Sequence, residues 1–199
     1  MDRRRTSRLT GTCLAAAFLA VAVSACGSQS APHPAPAAPA PSAAAPSPDA
    51  PPPELNQLRV AITAFSWLDN DPPGSASVND PVLHKVAGGQ GTYEDPITVS
   101  VPGSRGNLAY RPGTRFYLPS LRRYVMVEDS GAPVGPPGTS THLSVWIDGR
   151  DGTAAEVNAC EDKVTGSGTA AADLNPPPRL DVIPGPIFVR HVCNIPMTN

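Results

Sequence analysis

The sequence predicts a small all-β domain over residues 54–199, and three observations support this fold class. Turn-forming residues recur about every ten positions, and runs of β-branched and aromatic residues lie between them, as in small sandwiches and barrels. Only one short segment has a helical pattern. The region of about 146 residues is long enough for one domain with a core of its own.

Seven short strands and one helix are predicted within this domain. Two apolar runs flank Pro119 and Ser120 and predict a β-hairpin. The helix is predicted at Thr153–Lys163. The predicted strands are Leu58–Phe65, Ile97–Val101, Arg115–Leu118, Tyr124–Val127, Leu143–Ile147, Leu180–Ile183 and Ile187–Val192.

The N-terminus has the pattern of a bacterial lipoprotein signal. Four arginines lie among the first eight residues, and the apolar run Cys13–Val23 that follows is too short to span a bilayer. The run ends in V-S-A-C-G, in which small residues precede Cys26 as in a lipobox. We therefore predict a signal peptide at residues 1–25 and an exported protein that is lipid-anchored through Cys26. The anchor would lie on the outer face of the cytoplasmic membrane, or in an outer membrane if the cell has one. An ordinary secretory signal with a chance cysteine is the alternative.

Residues 26–53 are predicted to form a lipidated cysteine followed by a disordered tether. The segment 27–53 is almost entirely Ala, Pro and Ser, with ten prolines and one charged residue, Asp49. Such a composition buries too little apolar surface to offset the entropy lost on ordering. Its prolines favour an extended polyproline-II geometry of about 3.1 Å per residue, which suits a spacer between a membrane and a domain.

Charge and cysteine content narrow the possible partners and cofactors. The domain has a net charge of −4, from 11 basic and 15 acidic residues, which argues against nucleic acid as a partner. Cys160 and Cys193 are the cysteines left in an exported domain, and we predict that they form a disulfide. No paired Cys or His spacing predicts a metal site. The glycine-rich segment 88–92 lacks the Lys-Ser/Thr ending of a phosphate loop, so we predict no cofactor.

Four short motifs are distributed between residues 58 and 147. In chain order they are D-N-D-P-P at 69–73, A-G-G-Q-G-T-Y-E-D-P at 87–96, E-D-S-G at 128–131 and H-L-S-V-W at 142–146. This series resembles the secreted double-psi β-barrel superfamily, which includes expansin-like proteins, rare-lipoprotein-A-like proteins, three-aspartate domains and one family of endoglucanases. The resemblance implies a small six-stranded double-psi-like β-barrel with one short helix and a groove for polysaccharide.

The resemblance also implies one catalytic candidate and one important departure. Asp129 matches the first aspartate of the D-x-G pattern and would act as a general acid on a glycosidic oxygen. A structural role is equally open, in which Asp129 caps backbone N–H groups before the Gly131 turn. Ser144 stands where catalytic members carry an aspartate, and a serine cannot supply an acid near pKa 4–7.

Further ligand-binding candidates come from the same motifs. His142, Ser144 and Trp146 alternate along one strand and would share a face. Thr63 matches the threonine of a T-x-Y pattern, although phenylalanine replaces the tyrosine. Tyr93 and Asp95 belong to the glycine-rich loop that would border the groove, with Tyr93 available for stacking on a sugar. For each aromatic residue a core position is the alternative.

The function predicted from these observations is that of a cell-envelope lipoprotein. Its monomeric barrel would bind cell-wall or other polysaccharide, such as peptidoglycan, without efficient catalysis. One alternative is a glycan-cleaving enzyme of the lytic-transglycosylase or endoglucanase type that uses Asp129. A second alternative is an envelope protein-interaction module.

Overall fold

The computed structural model describes residues 56–196 and confirms the predicted all-β class. It contains a closed six-stranded barrel and a single short helix within these residues. The elements in chain order are β1 (Asn56–Phe65), β2 (Ile97–Val101), β3 (Gly103–Ser104), β4 (Asn107–Leu108), β5 (Arg115–Leu118), β6 (Arg123–Ser130), β7 (His142–Trp146), α1 (Ala154–Thr165), β8 (Thr169–Leu174), β9 (Phe188–Val189) and β10 (Val192–Cys193).

The barrel closes in the order β1, β7, β2, β6, β5, β8. The pairs β1–β7 and β2–β6 are parallel, and the remaining neighbours are antiparallel. Side chains that point inward alternate along each strand, for example Ile97, Val99 and Val101 on β2. Thr98 and Ser100 on the opposite face are also buried, because long connecting segments cover that side of the sheet. The strands of the barrel therefore place polar side chains beneath these segments.

The helix α1 is tied to the C-terminal segment by the predicted disulfide. It begins after Thr153, whose side chain forms a reciprocal capping box with Glu156. Cys160 is bonded to Cys193 with a Cα–Cα separation of 5.5 Å, within the usual range for a disulfide. The predicted pairing is thus confirmed.

Two of the predicted strands differ from the structure, and one barrel strand was not predicted. Residues 180–183 form no ladder, because prolines flank them and the segment is held by isolated bonds from Leu180 N–H to the Tyr124 hydroxyl and from Ile183 N–H to the Arg122 carbonyl. The predicted strand Ile187–Val192 is a short hairpin of β9 and β10, since Arg190 and His191 between them have positive φ angles of 51° and 65°. The barrel strand β8 was not predicted.

The predicted signal peptide, Cys26 and the tether lie outside the described residues. Between residues 56 and 196, no helix has the length and apolar character needed to cross a membrane.

Candidate functional site

Four polar side chains form a row across four neighbouring barrel strands. The strand registers pair Asp129 on β6 with Ser100 on β2, Ser100 with Ser144 on β7, and Ser144 with Thr63 on β1. We call these four residues the polar row. Because neighbouring strands lie about 4.8 Å apart, the Asp129 and Ser144 backbones are separated by about 10 Å.

A β-bulge places Asp129 in this row. The pairing of β2 with β6 shifts by one residue between Val99 and Ser100, so Glu128 is an extra residue on β6. The shift puts Asp129 opposite Ser100 and leaves Glu128 facing the segment that covers the sheet. Without the bulge, strand alternation would turn Asp129 toward the barrel interior.

Asp129, Ser100 and Ser144 of the polar row line a surface groove with a volume of about 430 Å³, and Thr63 is linked to it by its bond to Ser144. This value falls within the usual range for ligand pockets. Phe65 supplies an apolar part of the surface, and the loops after β1 and β6 form the walls. The groove is lined by Phe65, Asp69, Asn70, Asp71, Asn79, Ser100, Gly103, Ser104, Asp129, Ser130, Gly131, Ala132, Pro133 and Ser144.

Asp129 is the carboxylate at the base of the groove. Its residue exposure is only 5%, and its Oδ1 accepts a hydrogen bond of 2.9 Å from the Asn79 backbone N–H. Burial raises the pKa of Asp129, and bonds from Asn79 and Ser130 offset this only in part. The group therefore has two properties expected of a proton donor, namely burial and a raised pKa.

Thr63, His142 and Ser144 form a short hydrogen-bonded chain beside Asp129. The Thr63 hydroxyl donates to Ser144 Oγ at 3.0 Å and lies 2.9 Å from His142 Nε2. Burial lowers the pKa of His142, which the Pro133 carbonyl offsets only in part, so the ring is neutral at pH 7. The His142 ring and the hydroxyls of Thr63 and Ser144 are thus linked in one hydrogen-bonded chain.

Two further carboxylates, on Asp69 and Asp71, line the groove. Asp69 is engaged locally, since its Oδ1 accepts bonds from the Ser66 backbone N–H at 2.7 Å and the Ser66 hydroxyl at 3.1 Å. Asp71 is exposed. The groove wall thus carries the two acidic side chains of the D-N-D-P-P motif.

The comparisons with known proteins identify a family for this region. Residues 57–194 match the family model described as the DDB_G0273701 N-terminal domain. The chain belongs to this family. A curated relative is the "Uncharacterized protein DDB_G0273701/DDB_G0273221" of Dictyostelium discoideum, which is 32% identical over 111 residues. That match covers 54% of this chain and 47% of the relative, so the aligned part spans about half the length of the relative. No solved structure matches the chain.

The range that matches the DDB_G0273701 N-terminal domain family also contains a second polar cluster, which sequence reasoning missed. Glu128 is fully buried and lies against His84, with His84 Nδ1 2.7 Å from Glu128 Oε2. His84 Nε2 lies 2.7 Å from Asp95 Oδ1. The signal in the sequence was weak, because His84 is a lone histidine far from the other two residues.

Tyr93, Trp146 and Asp95, the other predicted ligand-binding residues, neither line the groove nor hydrogen-bond to the polar row, whereas Thr63 and His142 are connected to it through Ser144. Tyr93 packs edge-on against Tyr124 with ring centroids 5.3 Å apart, and the Arg115 guanidinium lies 5.1 Å from the Tyr93 ring centre. Trp146 is buried and packs edge-on against Phe65 at 5.2 Å. Asp95 belongs to the His84 cluster described above. The structure therefore brings together Asp129, Ser144, Thr63 and His142, but not the other three candidates.

The described residues contain no group of three or more His, Cys, Asp or Glu side chains arranged to hold a metal ion.

Proposed function

We propose that the groove of this domain binds polysaccharide and that the protein acts at the cell envelope as a glycan-binding module. The polar row is the main support, because it places a buried carboxylate and a serine hydroxyl in the lining of one groove, with backbones about 10 Å apart, together with the apolar ring of Phe65. Sugars offer both hydroxyl groups and apolar ring faces, so a groove with few well-placed polar groups matches their chemistry. The parallel pairing of β1 with β7 and of β2 with β6 adds support to the resemblance to double-psi barrels.

The proposed module has little or no catalytic activity. Glycoside hydrolysis normally uses two carboxylates that flank the scissile bond, and by the resemblance to double-psi barrels Ser144 replaces one of them. Loss of one acid–base group typically removes about 10²–10⁴ of the rate. Binding does not require that group, since a serine hydroxyl still donates a hydrogen bond to a sugar oxygen.

A glycan-cleaving enzyme is the second candidate function, and two specific observations favour it. Burial raises the pKa of Asp129, as a general acid requires. Asp71 lies in the same groove and could act as the second carboxylate. This candidate differs from the first in a measurable way, because it requires turnover that depends on Asp129. A protein-interaction module is the function that remains if neither glycan binding nor turnover is found.

The test uses the domain of residues 54–199 with purified peptidoglycan and with β-glucans. Sedimentation with the insoluble glycan measures binding, and released reducing ends or anhydro-sugars measure cleavage. We expect binding that falls at least tenfold in Asp129→Asn and in Ser144→Ala, with no product above background. Asp162→Asn and Ser167→Ala are matched controls, since both residues are exposed outside the groove lining. Turnover that disappears in Asp129→Asn would establish the enzyme instead.

Attachment to a membrane through Cys26 is a separate proposal that rests on V-S-A-C-G after a short apolar run. Growth of expressing cells with a clickable fatty acid should label the protein. The label should be lost in Cys26→Ala. Label that persists in this variant would contradict the proposed lipidation site.

A further inference from the structure

The segment of residues 79–84 crosses over the end of β6 and is bonded to its last three residues. We call this segment the strap. At its start, Asn79 donates its backbone N–H to Asp129 Oδ1 at 2.9 Å and its side-chain amide to Ser130 Oγ at 3.0 Å. The next residue, Asp80, donates its N–H to the Glu128 carbonyl at 3.0 Å. The start of the strap thus lines the groove and contacts the groove carboxylate directly.

The far end of the strap is held by the Glu128 side chain. Oε1 accepts the backbone N–H groups of Leu83 and His84, both at 2.8 Å. Oε2 is bonded to His84 Nδ1 at 2.7 Å and to the Thr98 hydroxyl at 2.8 Å. These four contacts use the full acceptor capacity of an ionised carboxylate. Burial alone would raise the pKa of Glu128, but the bonds from His84 and Thr98 outweigh it and lower the pKa.

His84 bridges two carboxylates that belong to different parts of the fold. Its Nδ1 faces Glu128 on β6, and its Nε2 faces Asp95 in the loop before β2. Both ring nitrogens can donate only when the imidazole is protonated. Burial alone would lower the pKa of His84, yet the hydrogen bonds and charges of Glu128 and Asp95 raise it.

We propose that Glu128 and His84 are positioning residues of the groove: their ion pair fixes the strap so that the Asn79 N–H is held on Asp129. This inference rests on the proposed function in one respect, namely that Asp129 contacts the glycan. The effect of the ion pair on Asp129 does not depend on a bound glycan.

The ion pair gives the groove a defined pH window. It is complete between the lowered pKa of Glu128 and the raised pKa of His84. As the pH rises through the His84 pKa, the ring loses one of its two N–H protons. It can then donate a hydrogen bond to only one of the two carboxylates, Glu128 or Asp95. As the pH falls through the Glu128 pKa, the carboxyl group loses its charge and one of its acceptor positions becomes a donor, so the bonds to the strap weaken. In both cases we expect the Asn79 N–H to leave Asp129 more readily.

The experiment follows Asp129 by ¹³C NMR of its carboxyl carbon in the uniformly labelled domain. In His84→Gln we expect the titration midpoint of Asp129 to rise by at least about half a pH unit, since a bond that favours its charged form is weakened. Thr98→Val is a milder variant that removes one bond to Glu128 and should shift the midpoint less in the same direction. His191→Gln is the matched control, because His191 pairs with Glu156 at 2.9 Å on the exposed helix surface and should leave Asp129 unchanged.

The wild-type domain supplies a test that needs no variant. The amide signal of Asn79 should titrate at high pH with the same midpoint as the His84 ring carbons. An Asp129 midpoint that stays unchanged in a folded His84→Gln domain, or an Asn79 amide that ignores the His84 titration, would overturn the proposal.

Binding to peptidoglycan or β-glucan over the same pH range separates this proposal from the function itself. Weaker binding above the His84 midpoint is expected for a glycan-binding groove. Absence of binding at every pH, together with a shifted Asp129 midpoint, would reject the proposed function and retain the positioning role.

Discussion

Replacement of Glu128 by glutamine should destabilise the domain strongly, although the two side chains have nearly the same shape. The substitution keeps Oε1 as an acceptor for the N–H groups of Leu83 and His84. At Oε2 it replaces an acceptor by an amide donor that faces His84 Nδ1 and the Thr98 hydroxyl. The hydroxyl can rotate and accept, but a protonated His84 cannot.

The expected cost follows from the contacts that are lost. A hydrogen bond to a charged group contributes about 1.5–3 kcal/mol, and breaking a buried ion pair by removal of one partner costs about 3–5 kcal/mol. Glutamine retains part of the hydrogen bonding, and His84 can escape by losing its proton. We therefore expect Glu128→Gln to lower the free energy of unfolding by about 2–4 kcal/mol at pH 7.

Equilibrium unfolding in guanidinium chloride, with the disulfide intact, measures this difference. Asp148→Asn is the matched control, because Asp148 pairs with Arg150 at 2.7 Å, and the side-chain exposures of 20% and 55% leave this pair in contact with solvent, whereas Glu128 is fully buried. A pair that is screened by solvent contributes about 1 kcal/mol or less. Asparagine also tolerates the positive φ of 82° at position 148. If Glu128→Gln costs no more than Asp148→Asn, the account of Glu128 as a charged anchor of the strap is wrong.

Three further predictions concern other parts of the domain. Reduction of the Cys160–Cys193 bond, which closes a loop with a sequence separation of 33, should cost about 3–4 kcal/mol in the chain-entropy model, measured by unfolding with and without reductant; equal stability in both conditions would contradict it. The midpoint temperature of thermal unfolding should fall when the pH drops through the lowered pKa of Glu128, and also when the pH rises through the raised pKa of His84. In His84→Gln the decrease of this temperature at high pH should disappear. Ser144→Asp should add a second carboxylate two strands away from Asp129, with backbones about 10 Å apart, and should increase the release of reducing ends from any bound glycan, because glycosidases use a pair of carboxylates. Binding without increased release would show that the groove lacks the geometry for hydrolysis.

The barrel strands that the sequence predicted are those with β-branched and aromatic side chains. β2 and β5 have the predicted bounds, and both consist of residues that favour strands. β8 was missed because its sequence, T-A-A-A-D-L, is rich in alanine, which favours helices in isolation. It forms a strand because β1 and β5 pair with it on both sides, with small side chains such as the fully buried Ala172 facing the core. Closure of a barrel is a tertiary constraint that a local pattern does not reveal.

The sequence predicted those site residues that belong to recognisable motifs. It did not predict the contacts that depend on how two strands pair. Asp129 and Ser144 were identified by their motifs, and the structure places both in one groove. The bulge at Glu128 leaves no signal in the sequence, since it is a property of how β2 pairs with β6. For this reason the strap and its bonds to Glu128 could not be predicted.

The bulge explains why two adjacent carboxylates have opposite properties. Glu128 is fully buried but receives donors at every acceptor position, so its pKa is lowered and it remains charged. Asp129 receives fewer hydrogen bonds, so the effect of burial on its pKa exceeds the effect of these bonds, and the pKa is raised. When the environments of two neighbouring acidic groups give them different pKa values, one group can stay charged in a structural role while the other takes part in chemistry. On β6 the register shift separates the two roles, because Glu128 faces the far end of the strap and Asp129 faces the groove. A ligand that contacts Asp129 would therefore bind beside a charge that is already neutralised by His84, and it would not have to compete with Glu128 for the donors of the strap.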